Sequence, residues 1–253
     1  MSLPIAVQMY AIREDLAQDF DATMDRVAHI GYAGMELIYG IPGASQEHAE
    51  RRLRELGLKV PCAHVPSPFG ADEQPVIEFA QRFGVERLVT GRGLGNFDNL
   101  GLIEATCDAY NRGAETARRQ GYTLSIHNHW MEYERAADGR YVYEIMLELL
   151  DPSIKFEIDA YWVQTAGIDP AAIVRQLGDR VNLLHVKDGP AAIEPPQVAL
   201  GQGVMNIPAV VNAAIAAEWL VVELDHCATD MLDAVDQSFQ YLVRKGLGHG
   251  KSA

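Results

Sequence analysis

The chain has 253 residues, 48% of them hydrophobic, a length and composition that suit one globular domain over residues 1–253 better than two small ones. Its 21 Lys and Arg against 35 Asp and Glu leave a formal charge of −14, so a polyanion meets a repulsive average field, which argues against nucleic acid as a partner. The three cysteines Cys62, Cys107 and Cys227 lack CxxC spacing and suggest neither a disulfide framework nor a thiolate zinc site; with no signal peptide in MSLPIAVQMYAIRED and no ~18-residue apolar run, a cytoplasmic protein without membrane contact is expected.

The first predicted strand, Ile5 to Met9, carries Gln8 and runs into Gln8-Met-Tyr-Ala-Ile-Arg13, with no Gly-x-Gly-x-x-Gly phosphate loop. An amphipathic stretch follows, with Phe20, Met24, Val27 and Ile30 on one helical face. Gly31, Gly57, Gly84 and Gly121 each stand just before a strand, as left-handed helix stops do. The strands they introduce are Met35 to Ile38 with Glu36, Leu58 to Ala63 with His64 beyond it, Arg87 to Thr90, and Thr123 to Ile126. Gly91-Arg-Gly-Leu-Gly95 matches neither dinucleotide nor Walker spacing and reads as a connecting loop, whereas Thr123 to Ile126 leads into His127-Asn-His-Trp-Met-Glu132. Ile154 to Ile158 ends at Asp159, Val181 to Val186 holds His185 and leads to Lys187 and Asp188, and Leu220 to Leu224 holds Glu223 before Asp225 and His226. Strict alternation predicts an α/β fold with a parallel sheet, closed or doubly wound; periodicity does not choose.

Five of the eight histidines fall at strand ends, where a closed barrel carries its active site. Asp159, His185 and Glu223 end three consecutive strands, and carboxylates mixed with imidazole suit Mn²⁺, Zn²⁺, Co²⁺ or Fe²⁺ better than Ca²⁺. A fourth ligand is expected from the fifth strand, either His127 or Glu132, with Glu132 favoured because another anionic oxygen better neutralises the ion. Lys187 shares a strand face with His185 and is placed to hold a substrate oxygen. Unligated histidines such as His129 suit proton transfer, and Gln8, Glu36, His64, His127, Asp225 and His226 suit binding of substrate hydroxyls. Trp162 and Phe69 are loop aromatics that could wall a sugar pocket. Arg13 and Lys187 are the cations the sequence offers to a phosphate.

Gly31-Tyr-Ala-Gly-Met-Glu36, Ile126-His-Asn-His-Trp-Met-Glu-Tyr133, Asp159-Ala-Tyr-Trp-Val163, His185-Val-Lys-Asp188, Leu200-Gly-Gln-Gly203 and Val222-Glu-Leu-Asp225 together resemble the sugar phosphate isomerase/epimerase group of xylose isomerase-like barrels. The resemblance spans essentially the whole chain. It implies a (β/α)₈ TIM barrel with one divalent ion held by a Glu, Asp, His, Glu set, here Glu132 or His127 with Asp159, His185 and Glu223. Similar epimerases carry glutamate where this chain has His127. The expected reaction is proton abstraction next to a carbonyl of a small keto-sugar through a metal-stabilised enediolate, with Glu223 and Glu132 as base and acid. Isomerisation or epimerisation ranks first, a keto-sugar or inosose dehydratase or 3-keto-glycoside lyase second. An endonuclease IV-like nuclease and a noncatalytic carbohydrate-binding barrel rank below these. Similar barrels often form homodimers; the sequence leaves the oligomeric state open.

Overall fold

Closure of the sheet decides between the two architectures. In the computed structural model, which describes residues 2–251, eight parallel strands run in barrel order: β1 (Leu3–Gln8), β2 (Gly34–Ile38), β3 (Ala63–His64), β4 (Arg87–Thr90), β5 (Thr123–His127), β6 (Lys155–Asp159), β7 (Val181–Val186) and β8 (Trp219–Val222). β1 pairs with both β2 and β8, which closes the barrel. A short β9 (Gly248–His249) pairs outside it with Leu3 and Pro4. No helix among the described residues is long and apolar enough to cross a membrane. All three cysteines are free.

The crossover helices follow from local chemistry. In Phe20–Ile30 the Asp19 side chain accepts the Ala22 N–H, Gly31 closes the helix at φ 110°, and Phe20, Met24, Val27 and Ile30 are buried, as their spacing predicts. Such faces pack on the outer surface of the barrel to form the main core.

The third strand departs from expectation. Leu58 to Ala63 reads as one strand, yet the ladder is continuous only at Ala63–His64. Met35 donates to Lys59 O and Leu37 to Cys62 O, so two steps on β2 are matched by three on its neighbour. Pro61 lies within those three, has no N–H for the ladder, and is tolerated where one extra residue bulges out.

The barrel interior is graded along its axis. Cys62, Val89, Leu183 and Trp219 pack together inside it. One pleat further along, the inward positions turn polar: Gln8 pairs in register with Glu36, Ile38 with His64, and Asp159 with His185. Most of the buried polarity thereby gathers toward the carboxyl ends of the strands, the Ser125–Asn182 pair excepted.

Candidate active site

The polar side chains form two tiers. In the upper tier, Asp159, His185 and Glu223 each offer one ligand atom within 4.8 Å of the other two. The backbone positions them by ordinary means. Asp159 caps the helix Ala160–Thr165 through Oδ1, which accepts the Trp162 N–H at 3.1 Å. Asn128, the middle residue of His127-Asn-His129, exchanges hydrogen bonds with the Asp159 backbone and ties the end of β5 to that of β6. These contacts leave Asp159 Oδ2, His185 Nδ1 and Glu223 Oε1 buried without a hydrogen-bond partner. Buried polar atoms are rarely orphaned in this way. Two carboxylate oxygens and an imidazole nitrogen, of which only Asp159 Oδ2 meets a partner, the Lys187 ammonium, are a donor set that fits a borderline divalent cation. The Lys187 ammonium already marks this as a place for positive charge, lying 2.9 Å from Asp159 Oδ2, 2.8 Å from Asp225 Oδ2 and against Glu223.

The lower tier is saturated instead. Glu157 Oε2 lies 2.6 Å from His64 Nε2, 3.1 Å from His127 Nδ1 and 3.2 Å from His185 Nε2. Glu36 accepts Gln8 Nε2–H at 2.5 Å and the Cys62 thiol at 2.9 Å, and its Oε1 lies 3.1 Å from His185 Nε2.

Burial and neighbouring charge set the protonation states. Burial works against the Lys187 ammonium, but Asp159, Glu223 and Asp225 outweigh it and hold its pKa well above the ordinary lysine value. Burial raises Asp159 to about 6 against the pull of Lys187 and His185. Burial, then Lys187, lowers His129 to about 4, so its ring is neutral. Burial also drives His127 well below the ordinary histidine value. His185 moves the other way, since Glu157 and Glu36 overcome its burial.

A cavity of about 400 Å³ opens above the two tiers, lined among others by Gln8, His64, His127, His129, Lys187 and Glu223, with Asp225 at one side and Tyr10, Tyr39 and Arg92 toward the mouth. A larger groove of about 700 Å³ lies toward the other end of the barrel, where Arg82, Arg87 and Arg54 are already paired with glutamates, and it gathers no orphaned groups.

The structure therefore assembles Gln8, His64, His127, His129, Asp159, His185, Lys187, Glu223 and Asp225 in one place. Two other expected residues lie elsewhere, and a third, Glu36, belongs to the lower tier of this cluster. Glu132 sits in the single turn Met131–Tyr133, which folds its carboxyl back onto the His129 N–H at 2.9 Å and sends it among Tyr133, Tyr143 and Met146 rather than into the upper tier. Glu36 is fully buried beneath the cavity floor, held by Gln8 and Cys62. His226 is exposed and faces a separate groove beside Arg13. Trp162 is buried with its ring 5.2 Å from Lys187 Nζ, and Phe69 packs under Arg112 away from the cavity. Sequence reasoning missed Glu157, a charge inside an apolar strand, and Gln197, which bonds both the side chain and the backbone of Asp225. It also passed over Arg92, which has no hydrogen bond or ion pair among the described residues. Arg13, by contrast, is engaged with the backbone of Tyr10 and Asp225.

Comparison with known proteins follows this geometry. Residues 24–244 match the family described as xylose isomerase-like TIM barrel. No curated protein matches the sequence. Among solved structures the chain is similar to a sugar phosphate isomerase/epimerase from Parabacteroides distasonis, at 23% identity over 96% of this chain and 98% of that one, TM-score 0.83. It is similar to a probable 3-DHS dehydratase from Bacillus anthracis, at 15% identity over 95% and 99%, TM-score 0.74. It is also similar to the IOLI protein, solved with a bound zinc atom, at 11% identity over 97% and 98%, TM-score 0.74. Likeness at these identities establishes the fold.

Proposed function

Since the chain belongs to the xylose isomerase-like TIM barrel family, we propose that it is a divalent-metal-dependent isomerase or epimerase that moves a proton on the carbon beside the carbonyl of a small keto-sugar. The observation that carries this reading is the trio Asp159, His185 and Glu223, each with a ligand atom within 4.8 Å of the other two, with His185 Nδ1 and Glu223 Oε1 unpartnered, under an open cavity. His127 is the fourth ligand in this reading, because its Nε2 lies 3.9 Å from Asp159 Oδ2 whereas Glu132 is turned away. A divalent ion bound there supplies positive charge to the carbonyl and neighbouring hydroxyl oxygens, where negative charge develops as the proton leaves.

The chain's own groups divide the remaining work. Glu223, on the cavity wall, removes the proton from carbon. Lys187, kept charged by its three carboxylates, donates a hydrogen bond to the oxygen that gains charge. His64, on β3 across the barrel from β8 and, despite its burial, raised in pKa by Glu36 and Glu157, returns a proton. Return to the neighbouring carbon gives an isomer, and return to the opposite face of the same carbon gives an epimer. A β-elimination is the second reading, favoured by the buried ammonium of Lys187, which can protonate a departing hydroxyl; the likeness to a dehydratase accords with it.

The deciding experiment is elemental analysis of the purified protein beside Asp159→Asn and Glu223→Gln, followed by incubation of the metal-loaded protein with keto-sugars in D₂O. About one Mn, Zn, Co or Fe per chain, lost in both variants, with deuterium entering the carbon beside the carbonyl, is expected. The NMR spectrum of the product separates isomer, epimer and unsaturated ketone. No bound metal after reconstitution overturns the proposal.

A further inference from the structure

Three imidazoles are turned toward one oxygen, Glu157 Oε2, at 2.6, 3.1 and 3.2 Å. A carboxylate oxygen can only accept, so the nitrogen facing it carries a proton in each ring: Nε2 of His64, Nδ1 of His127 and Nε2 of His185. In a neutral imidazole that choice leaves a lone pair on the other nitrogen. For His185 the other nitrogen is Nδ1, buried, unpartnered and 3.7 Å from Glu223 Oε2. For His127 it is Nε2, 3.9 Å from Asp159 Oδ2.

We propose that Glu157 is a positioning residue that sets the tautomers of His64, His127 and His185, so that His127 Nε2 and His185 Nδ1 present lone pairs to a single cation shared with Asp159 and Glu223. This inference rests on the metal-site reading given above. The same device leaves His64 Nδ1 as an acceptor for a hydroxyl in the cavity that its ring lines. Glu157 touches no substrate. It acts through the rings, holding their orientation and making the outward nitrogens more basic by accepting from the inward ones. His64, His127, Glu157 and His185 are themselves close enough to hold an ion, but their facing atoms already satisfy one another, whereas the unsatisfied atoms lie one tier higher. The geometry thus makes the lower tier a support for the site above it rather than a second metal site.

The test uses the full chain loaded with Zn²⁺ and labelled with ¹⁵N at histidine. Long-range ¹H–¹⁵N correlations should show His127 protonated at Nδ1 and His185 at Nε2, and the opposite tautomer at either ring overturns the proposal. Glu157→Gln should bind Zn²⁺ about 10–100-fold more weakly in competition with a chelator, at unchanged far-ultraviolet circular dichroism, and should shift the His185 Nε2–H resonance. Affinity within twofold of the parent overturns the proposal, as does a second equivalent of zinc in the parent. Asp159→Asn and Glu223→Gln separate the two readings. If both keep one zinc, the metal site itself is refuted; if both lose it while Glu157→Gln keeps full affinity, only the role of Glu157 is. Should Glu157→Gln fail to fold, the tautomers of the parent protein decide alone.

Discussion

Two buried ionisable groups make opposite demands on stability. Lys187 is enclosed by Asp159, Glu223 and Asp225, and removing one partner of a buried ionic group costs about 3–5 kcal/mol because the remaining charges lose their counterion. Lys187→Met should therefore melt lower than the parent without metal and recover more than the parent when Zn²⁺ is added; equal recovery in calorimetry would refute this. Glu132 is strained in the other direction. Burial pushes its pKa from 4.5 to about 8, against backbone N–H groups that favour the anion. The folded value lies above the unfolded one, so the contribution to stability is full below pH 4.5 and is lost as pH rises toward about 8. Glu132→Gln removes that loss, and at ~1.4 kcal/mol per pKa unit the gain at pH 8.5 is up to about 5 kcal/mol. Thermal unfolding at pH 5.5 and 8.5 checks it: the variant should gain mostly at the higher pH, and an equal gain at both pH values contradicts it. Asp159, His185 and Glu223 were legible in the sequence because each stands at or near the end of a short, largely apolar run bounded by turns. Glu132 was misleading because one tight turn after β5 reverses its direction, which residue spacing does not encode. Glu157 was hidden because a strand read in isolation does not reveal which of its faces is inside.

At the scale of elements, the loop after β7 is held by one side chain. Asp188 accepts N–H groups from Gly189, Gly201 and Met205, which accounts for Leu200-Gly-Gln-Gly203. A Cβ at Gly203 would run into the Asp188 carboxylate and the Gly189 backbone. Gly203→Ala is expected to cost about 1–3 kcal/mol in urea unfolding; an unchanged midpoint would show that the loop yields freely. Arg87–Thr90 and Val181–Val186 match their sequence readings residue for residue, because apolar runs bounded by turns define strands well. β3 does not match, since the extra residue beside Pro61 interrupts a run whose hydropathy is continuous.

For the whole molecule, a ligand that binds only the folded state stabilises it by about 2.7 kcal/mol at a hundredfold excess over its Kd. At roughly 2–4 °C per kcal/mol for a chain of this size, saturating Zn²⁺ should raise the melting temperature by about 5–10 °C over a chelated sample. Asp159→Asn should show no rise; a rise of similar size in that variant would place the ion elsewhere. Strand alternation was enough to predict parallel strands with helical crossovers, but closure depends on β1 meeting both β2 and β8, a long-range pairing that no local pattern carries. The bulge in β3 acts across the same distance, as a phase shifter. Gly34 pairs with Lys59, yet Ile38 pairs with His64, so the inward phase slips by one residue between them. Had the strand run on from Lys59 without that slip, Ala63 would stand opposite Ile38 and His64 would turn out among the helices. A one-residue slip of backbone register thus sets which face of β3 His64 takes, and with it whether an imidazole stands in the throat of the barrel.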